Sequence, residues 1–268
     1  MGIVVGIDIG GSTTKIIGVR DGVWSTPLQV KATDPLTSIY GAFGRYIAEA
    51  GLGLQDISCI KITGVGSGCV KDQIYGIRTE KIDEFRAIGL GGEKLSGLQR
   101  AIIVSMGTGT AFVHADGQNI FHMGGTGVGG GTLVGLSSLL LGVQNVDSIV
   151  ELAKTGNLQN VDISIGDMNS NGEYMPSNVT ASNFGKVTDF TTKSDIAAGI
   201  VNMVFQTIGM MSVFTSRIDD IRDVVLCGSL ATIPSTREHF AMIEELHGVH
   251  FHIPDHAEYA TALGAALA

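Results

Sequence analysis

Residues 8–15, DIGGSTTK, bring one carboxylate, two glycines, three hydroxyls and a lysine into a single short segment. Gly10 and Gly11 allow a tight turn whose backbone N–H groups can point at phosphate oxygens, and Asp8 can hold Mg²⁺ directly or through water. Ser12, Thr13 and Lys15 add donors and a positive charge. A second glycine turn, SMGTGT, supplies Gly107, Thr108, Gly109 and Thr110. Two such turns facing one another can clamp a nucleoside triphosphate. No G-x-x-x-x-G-K-[ST] occurs, so a P-loop is excluded. Taken singly, each turn is equally an ordinary hairpin that uses glycine for its φ > 0 positions. Residues 124–132, GGTGVGGGT, contain G-x-G-x-x-G at Gly125, Gly127 and Gly130. That fingerprint carries weight only between a strand and a helix of a βαβ unit.

The elements that must position these residues follow from apolar spacing. IVVGID, a glycine turn, TKIIGVR, a DG turn and VWSTPLQV read as three successive strands. AIIVSM, GTGT, AFVHA, DG and QNIFHM repeat that plan at 101–123, which reads as an internal duplication. The strand before the glycine run therefore belongs to an antiparallel hairpin, and the G-x-G-x-x-G match is incidental. The run itself reads as a loop at a cleft, with Gly130 and Gly131 near a helix N-terminus suited to anions. Between the two hairpins, 34–51 shows helical spacing of Leu36, Ile39, Tyr40, Phe43, Tyr46 and Ile47, capped at Thr33 or Asp34 with Pro35 in the first turn. ISCIKIT reads as a strand, and IRTEKIDEFRAIGLGGEKL as a short strand entering a helix. Helices follow over TLVGLSSLLLGV, NVDSIVELAKTG, 195–217 and EYATALGAALA, with DVVLCGS as a buried strand. Alternation of strands and helices favours α/β layering. The polar stretch 166–186 lacks a period and reads as a surface insertion or an element over a cleft.

The chain of 268 residues is long enough for two lobes. A net charge of −9 argues against nucleic acid or an anionic membrane as partner. No basic leader with a long apolar run opens the sequence, and the expectation is a cytoplasmic protein. Cys59, Cys69 and Cys227 lack C-x-x-C spacing and read as buried spectator thiols. His250 and His252 share a face of a strand but have no complementary ligand cluster for zinc.

Together, DIGGSTTK, SMGTGT on a repeated hairpin, and VVLCGS resemble the first phosphate, second phosphate and adenosine elements of the actin, sugar kinase and Hsp70 superfamily. Residues 101–136 further resemble the type II pantothenate kinases, as do EF at 84–85, TASNFGK at 180–186 and the ALGAAL ending. The resemblance implies an α/β fold of two related actin-like (ribonuclease H-like) lobes, with mixed sheets flanked by helices around an ATP cleft. The lobes are expected at 1–98 and 99–268, with the closing helix 258–268 a candidate to pack back on the first. It implies ATP and Mg²⁺ as cofactors, Asp8 as the metal residue, and Asp8, Gly10, Gly11, Ser12, Thr13, Lys15 and Gly107 to Thr110 on the phosphates. Gly130 and Gly131 join that set, and Gly228 and Ser229 fall near the nucleoside. By residue type alone Glu84 is a solvated carboxylate at a helix start; the resemblance makes it the catalytic base, accepting the proton of the terminal hydroxyl of pantothenate as ATP phosphorylates it. Gly125 falls on the substrate side. A homodimer and inhibition by coenzyme A or its thioesters are implied as well; the helix 195–217, with Met203, Met210 and Met211, is apolar on nearly every side and suits a core or a dimer interface.

Two positions depart from the family. His122 stands where the family carries arginine, and Arg86 where aspartate commonly follows EF. An acceptor carboxylate is then expected to meet Arg86, with His122 also on the substrate side, unless Arg86 points to solvent or the acceptor differs from pantothenate. Two other functions share the fold: an ATPase activator of 2-hydroxyacyl-CoA dehydratase, whose resemblance implies a cysteine-held iron–sulfur cluster, and a nucleotide- or acyl-CoA-binding sensor without turnover.

Overall fold

Antiparallel β1 (Ile3–Ile9) and β2 (Thr13–Arg20) open the first sheet of the computed structural model, which describes residues 2–31, 34–117, 119–168 and 175–268. β3 (Val23–Trp24) and β4 (Leu28–Lys31) both pair with β2. Helix α1 (Pro35–Glu49) follows, then β5 (Ile57–Thr63) parallel to β1, and β6 (Thr79–Lys81) parallel to β5. The second sheet repeats this plan. After α2 (Glu84–Ser96), β7 (Ala101–Met106), β8 (Thr110–Asp116) and β9 (Asn119–Thr126) run antiparallel in succession. Helices α3 (Gly130–Leu141) and α4 (Val146–Lys154), then β10 (Ile163–Ser164), α5 (Ile165–Met168), β11 (Thr180–Ser182) and the long α6 (Lys193–Asp219) precede β12 (Asp223–Cys227). β12 is parallel to β7, and after α7 (Thr236–His247), β13 (His250–His252) is parallel to β12. The chain closes on α8 (Ala260–Leu267). The orders β3-β2-β1-β5-β6 and β9-β8-β7-β12-β13 are the same topology twice, so the duplicated hairpins of the sequence are the leading halves of two equivalent mixed sheets.

β1, β7 and β12 read as almost unbroken apolar runs because helices cover both faces of their sheets. In the first sheet, Val5, Ile7 and Ile9 pack on Ile39, Phe43 and Tyr46 of α1. The opposite face, with Ile17 and Val19, packs on Ala262, Leu263 and Ala266 of α8. In the second, Ile102, Val104 and Phe112 meet Ile200, Val204 and Ile208 of α6, while Ile103, Val113 and Val225 meet Ile88 of α2. Helix α2 precedes the second sheet and covers it; α8 ends the chain and covers the first. They cross between the sheets backbone against backbone, since a Cβ on Gly91 would collide with the Ala260 carbonyl and one on Gly264 with that of Ala87. This crossing fixes the N-terminus of α2, and Glu84 with it, where the two halves meet.

Asp34 caps α1, its carboxylate accepting from the Thr37 N–H at 2.8 Å; Thr33 lies outside the described residues. VWSTPLQV is two short strands, not one, because Pro27 has no N–H to offer a ladder. The cysteines differ from the expectation of three buried thiols: Cys227 is buried, Cys59 half-buried and Cys69 exposed on the turn after β5. Of the polar stretch 166–186, residues 169–174 lie outside the described residues. The rest is held to α6 by Asp162, which accepts from the Phe184 N–H at 2.9 Å and Asn202 Nδ2 at 2.8 Å, and no described residue of it lines the cleft below. α6 is long and apolar enough to cross a membrane, but most of its apolar stretch is buried in the core of the second half. His252 Nε2 lies 2.7 Å from Asp223 Oδ1, and no cluster of three metal-ligating side chains forms among the described residues.

Candidate active site

A cleft of about 1030 Å³ opens between the two sheets. Its floor begins with cross-strand neighbours: Asp8 at the end of β1 sits in register with Lys15 on β2, so both side chains leave the same face. Lys15 Nζ donates to Ser229 Oγ at 3.1 Å, joining the first hairpin to the segment after β12. Burial pushes the Asp8 carboxyl up and the Lys15 ammonium down, and the opposite charge of each works against both shifts. Cys227 beneath them is pushed up to about 12 by burial, with Lys15 opposing, so it is a thiol and not a nucleophile.

The two glycine turns face each other directly. Ser12 Oγ and Thr108 Oγ1 are 3.3 Å apart across the cleft. Each turn is closed by one backbone bond, Gly10 N–H to Thr13 O at 3.0 Å and Gly107 N–H to Gly109 O at 2.9 Å. The amides of Gly11, Ser12, Thr108 and Gly109 have no acceptor among the described residues, which leaves four donors at the meeting point of the turns. A polyanion fits such a set. Thr110 is a brace, its hydroxyl donating to Val128 O at 2.8 Å. Gly228 (φ +88) lets the chain turn at the end of β12 only 2.5 Å, for a hypothetical Cβ, from the Met106 carbonyl. Ser229 follows it into the cleft.

The glycine run divides in three. Gly124, Gly125 and Thr126 continue β9 in register with β8, 127–129 form a loop, and 130–132 start α3. Gly130 and Gly131 line the cleft, but their N–H groups donate to the carbonyls of Gly107 and Thr108, both at 2.8 Å. The expected anion site at these two helix-terminal amides is therefore corrected: they hold the second phosphate turn in place, and a phosphate cannot use the same protons.

Opposite the turns stands Glu84, the first residue of α2, whose N-cap Asp83 accepts from the Arg86 N–H at 2.9 Å. Burial first, then the charges of Asp8 and Asp83, raises the Glu84 carboxyl above the ordinary range. Its neighbour Phe85 stacks on His122 of β9, ring centroids 3.8 Å apart and planes 14° from parallel. The pair is set by α2 lying on β9, where Gly89 leaves room for Ile120 one turn further on. All three groups, with Gly125, line the cleft. Arg86 does not: it is exposed on the far side of the helix, correcting the expectation that it meets an acceptor. The sequence reading also missed an apolar wall of Val134, Val146, Val150, Leu230, Ile233 and Pro234. Its signal was present in Val146, Val150 and Lys154 at four-residue spacing on α4.

Residues 98–268 match the model of the Fumble family. A type II pantothenate kinase of Bacillus anthracis is 30% identical over 238 residues, 84% of this chain and 82% of that protein. The chain belongs to the Fumble family of type II pantothenate kinases. Two solved structures resemble this Fumble-family chain in fold. The (R)-2-hydroxyglutaryl-CoA dehydratase component A of Acidaminococcus fermentans matches with a TM-score of 0.72 and 22% identity over 100% of this chain and 97% of its own. A ROK family glucokinase of Streptomyces griseus in complex with glucose and AMPPNP matches at 0.59 and 12%, over 99% and 98%. The fold is that of the actin-like ATPases and sugar kinases, two related α/β halves around the cleft.

Proposed function

We propose that this chain transfers the γ-phosphoryl group of ATP to the terminal hydroxyl of pantothenate, opening coenzyme A synthesis, with residues 1–98 and 99–268 as its two lobes. One observation carries the reading: a half-buried carboxylate, Glu84, shares a single cleft with two facing glycine turns, an Asp8–Lys15 pair and an apolar wall. Phosphoryl transfer asks for little more than positioning, charge neutralisation and one group to take the nucleophile's proton. The acceptor oxygen bonds to the γ-phosphorus, the bond to the β–γ bridging oxygen breaks, ADP leaves with that electron pair, and the hydroxyl proton passes to Glu84. A base raised above the ordinary carboxylate range takes that proton more readily near neutrality.

The free amides of Gly11, Ser12, Thr108 and Gly109 and the Lys15 ammonium would hold the phosphate chain, and the apolar wall the nucleoside beside Gly228 and Ser229. Mg²⁺, when bound, would supply charge neutralisation on the phosphates; Asp8, the half-buried carboxylate at the end of β1 beside the first turn, is the residue to hold it, directly or through water. Coenzyme A or an acyl thioester competing for the cleft, a homodimer built on α6 and a cytoplasmic location complete the proposal.

The likeness in fold to dehydratase component A favours a second reading, an ATPase activator. A coupled ADP-release assay with pantothenate, its amides and other hydroxy acids, run beside Glu84→Gln, decides. Turnover that needs pantothenate and vanishes in the variant supports the kinase; ADP release that ignores both supports the activator. Nucleotide binding with no ADP release by either protein points instead to a sensor.

A further inference from the structure

The charged groups lining the cleft are Asp8, Glu84, Asp147 and Glu151 against Lys15 and Lys154. Both lysines are engaged: Lys15 donates to Ser229 beside Asp8, and Lys154 Nζ is 2.7 Å from Glu151 Oε2. No guanidinium lines the cleft among the described residues, because Arg86 faces solvent. A free carboxylate brought into this cleft would therefore give up its hydration in a lining where carboxylates outnumber ammonium groups and both lysines already have partners.

What stands there instead is His122. Its ring lies flat on Phe85, and Nε2 would be 3.7 Å from a Cβ on Gly125, another residue of the lining. Neither ring nitrogen has a hydrogen-bond partner among the described residues, whereas His114, His239, His247 and His252 each have one. Glu84, Phe85 and His122 line one cleft, so an acceptor whose hydroxyl meets the proposed base can lay its far end against the stack. An imidazole held by stacking suits an amide, which can donate to one ring nitrogen or accept from it without bringing charge.

We propose that the Phe85–His122 pair determines acceptor specificity, and that it selects a hydroxy acceptor whose far end is an uncharged amide over the corresponding free acid. The inference rests on the kinase reading above and deepens it. It does not exclude pantothenate as an acceptor; it ranks the neutral amide of pantothenate ahead of it.

The test compares kcat/KM for pantothenate and for its primary amide by ADP release at about pH 8, in the wild type, His122→Arg and Phe85→Leu, with melting curves to verify folding. The wild type is expected to favour the amide by about tenfold or more, the size of one hydrogen bond lost to an unpaired charge. His122→Arg should reverse the order, with the change in ratio carried mainly by KM, and Phe85→Leu should shrink the preference by freeing the imidazole. A wild type that favours the free acid, or a ratio unmoved by His122→Arg in a folded protein, overturns the inference and leaves the kinase standing. Absence of ADP release with both acceptors overturns the kinase reading itself, and this inference with it.

Discussion

Replacing Gly129 by alanine isolates what the glycine run does for the second phosphate turn. The backbone at Gly129 is extended (φ −177, ψ −154), a conformation open to any residue, so the substitution brings no backbone strain. Its added methyl would lie 2.7 Å from the Thr108 carbonyl oxygen and 2.9 Å from Gly109 Cα. Both are backbone atoms of the turn, which cannot swing aside as a side chain would. To restore ordinary contact at 3.4 Å from 2.7 Å, the turn and α3 must part by about 0.7 Å. That separation stretches the two bonds from Gly130 and Gly131 to the turn, at about 0.5–1.5 kcal/mol each, or about 1–3 kcal/mol together. It also displaces the free amides of Thr108 and Gly109 by a distance at which positioning losses approach ~100-fold. The expected result is a fall of about 10- to 100-fold in kcat/KM for ATP, measured by coupled ADP release, with a matching loss in nucleotide binding by calorimetry. Gly127→Ala is the control, since a Cβ there meets nothing within 4 Å. A Gly129→Ala protein indistinguishable from wild type, or a Gly127→Ala protein equally impaired, would refute the reasoning.

Glu84→Gln should lower kcat by about 10²–10⁴-fold, the usual worth of a general base, and the wild-type acid limb should lie above the ordinary glutamate value of 4.5. Because the folded-state pKa is raised, stability is lost as pH climbs from that ordinary value through the raised one; melting curves should show Glu84→Gln more stable than wild type at neutral pH, with no advantage in acid below the ordinary range. Gly264→Ala drives a methyl into the Ala87 carbonyl where α2 and α8 cross; a destabilisation of about 3 kcal/mol, and a melting midpoint lowered by about 6–12 °C, is expected by calorimetry. EDTA should stop turnover and added Mg²⁺ restore it, and Asp8→Asn should raise the Mg²⁺ concentration needed for half-maximal rate, read from a Mg²⁺ titration.

The strand–turn–strand units were legible because their signals are local: an apolar run, glycines at the turn and hydroxyls beside them all lie within eight residues of Asp8. The duplication was legible for the same reason, and it became two sheets of equal topology. The α2–α8 crossing was not, since Gly91 and Gly264 have no sequence relation and only the folded chain brings their backbones together. The Phe85–His122 stack was not legible either, since only the folded chain lays α2 against β9. The solvent-facing placement of Arg86, one of the outcomes its sequence context leaves open, follows from helix geometry. At about 100° per residue, Arg86 lies roughly 200° around α2 from Glu84, while Ile88 returns to the same side; Glu84, Phe85 and Ile88 line the cleft and Arg86 does not. The amides of Gly130 and Gly131 were misassigned because helix starts suit anions in general, and only the structure reveals the carbonyls that already occupy them.

The central claim, that the cleft transfers a phosphoryl group to pantothenate instead of merely hydrolysing ATP, is tested most directly by following label from γ-¹⁸O-labelled ATP. Mass spectrometry should recover the labelled phosphoryl group on the terminal hydroxyl of pantothenate, one per ADP formed, and Glu84→Gln should abolish its appearance. Label released as free phosphate at the same rate with and without pantothenate would contradict the account.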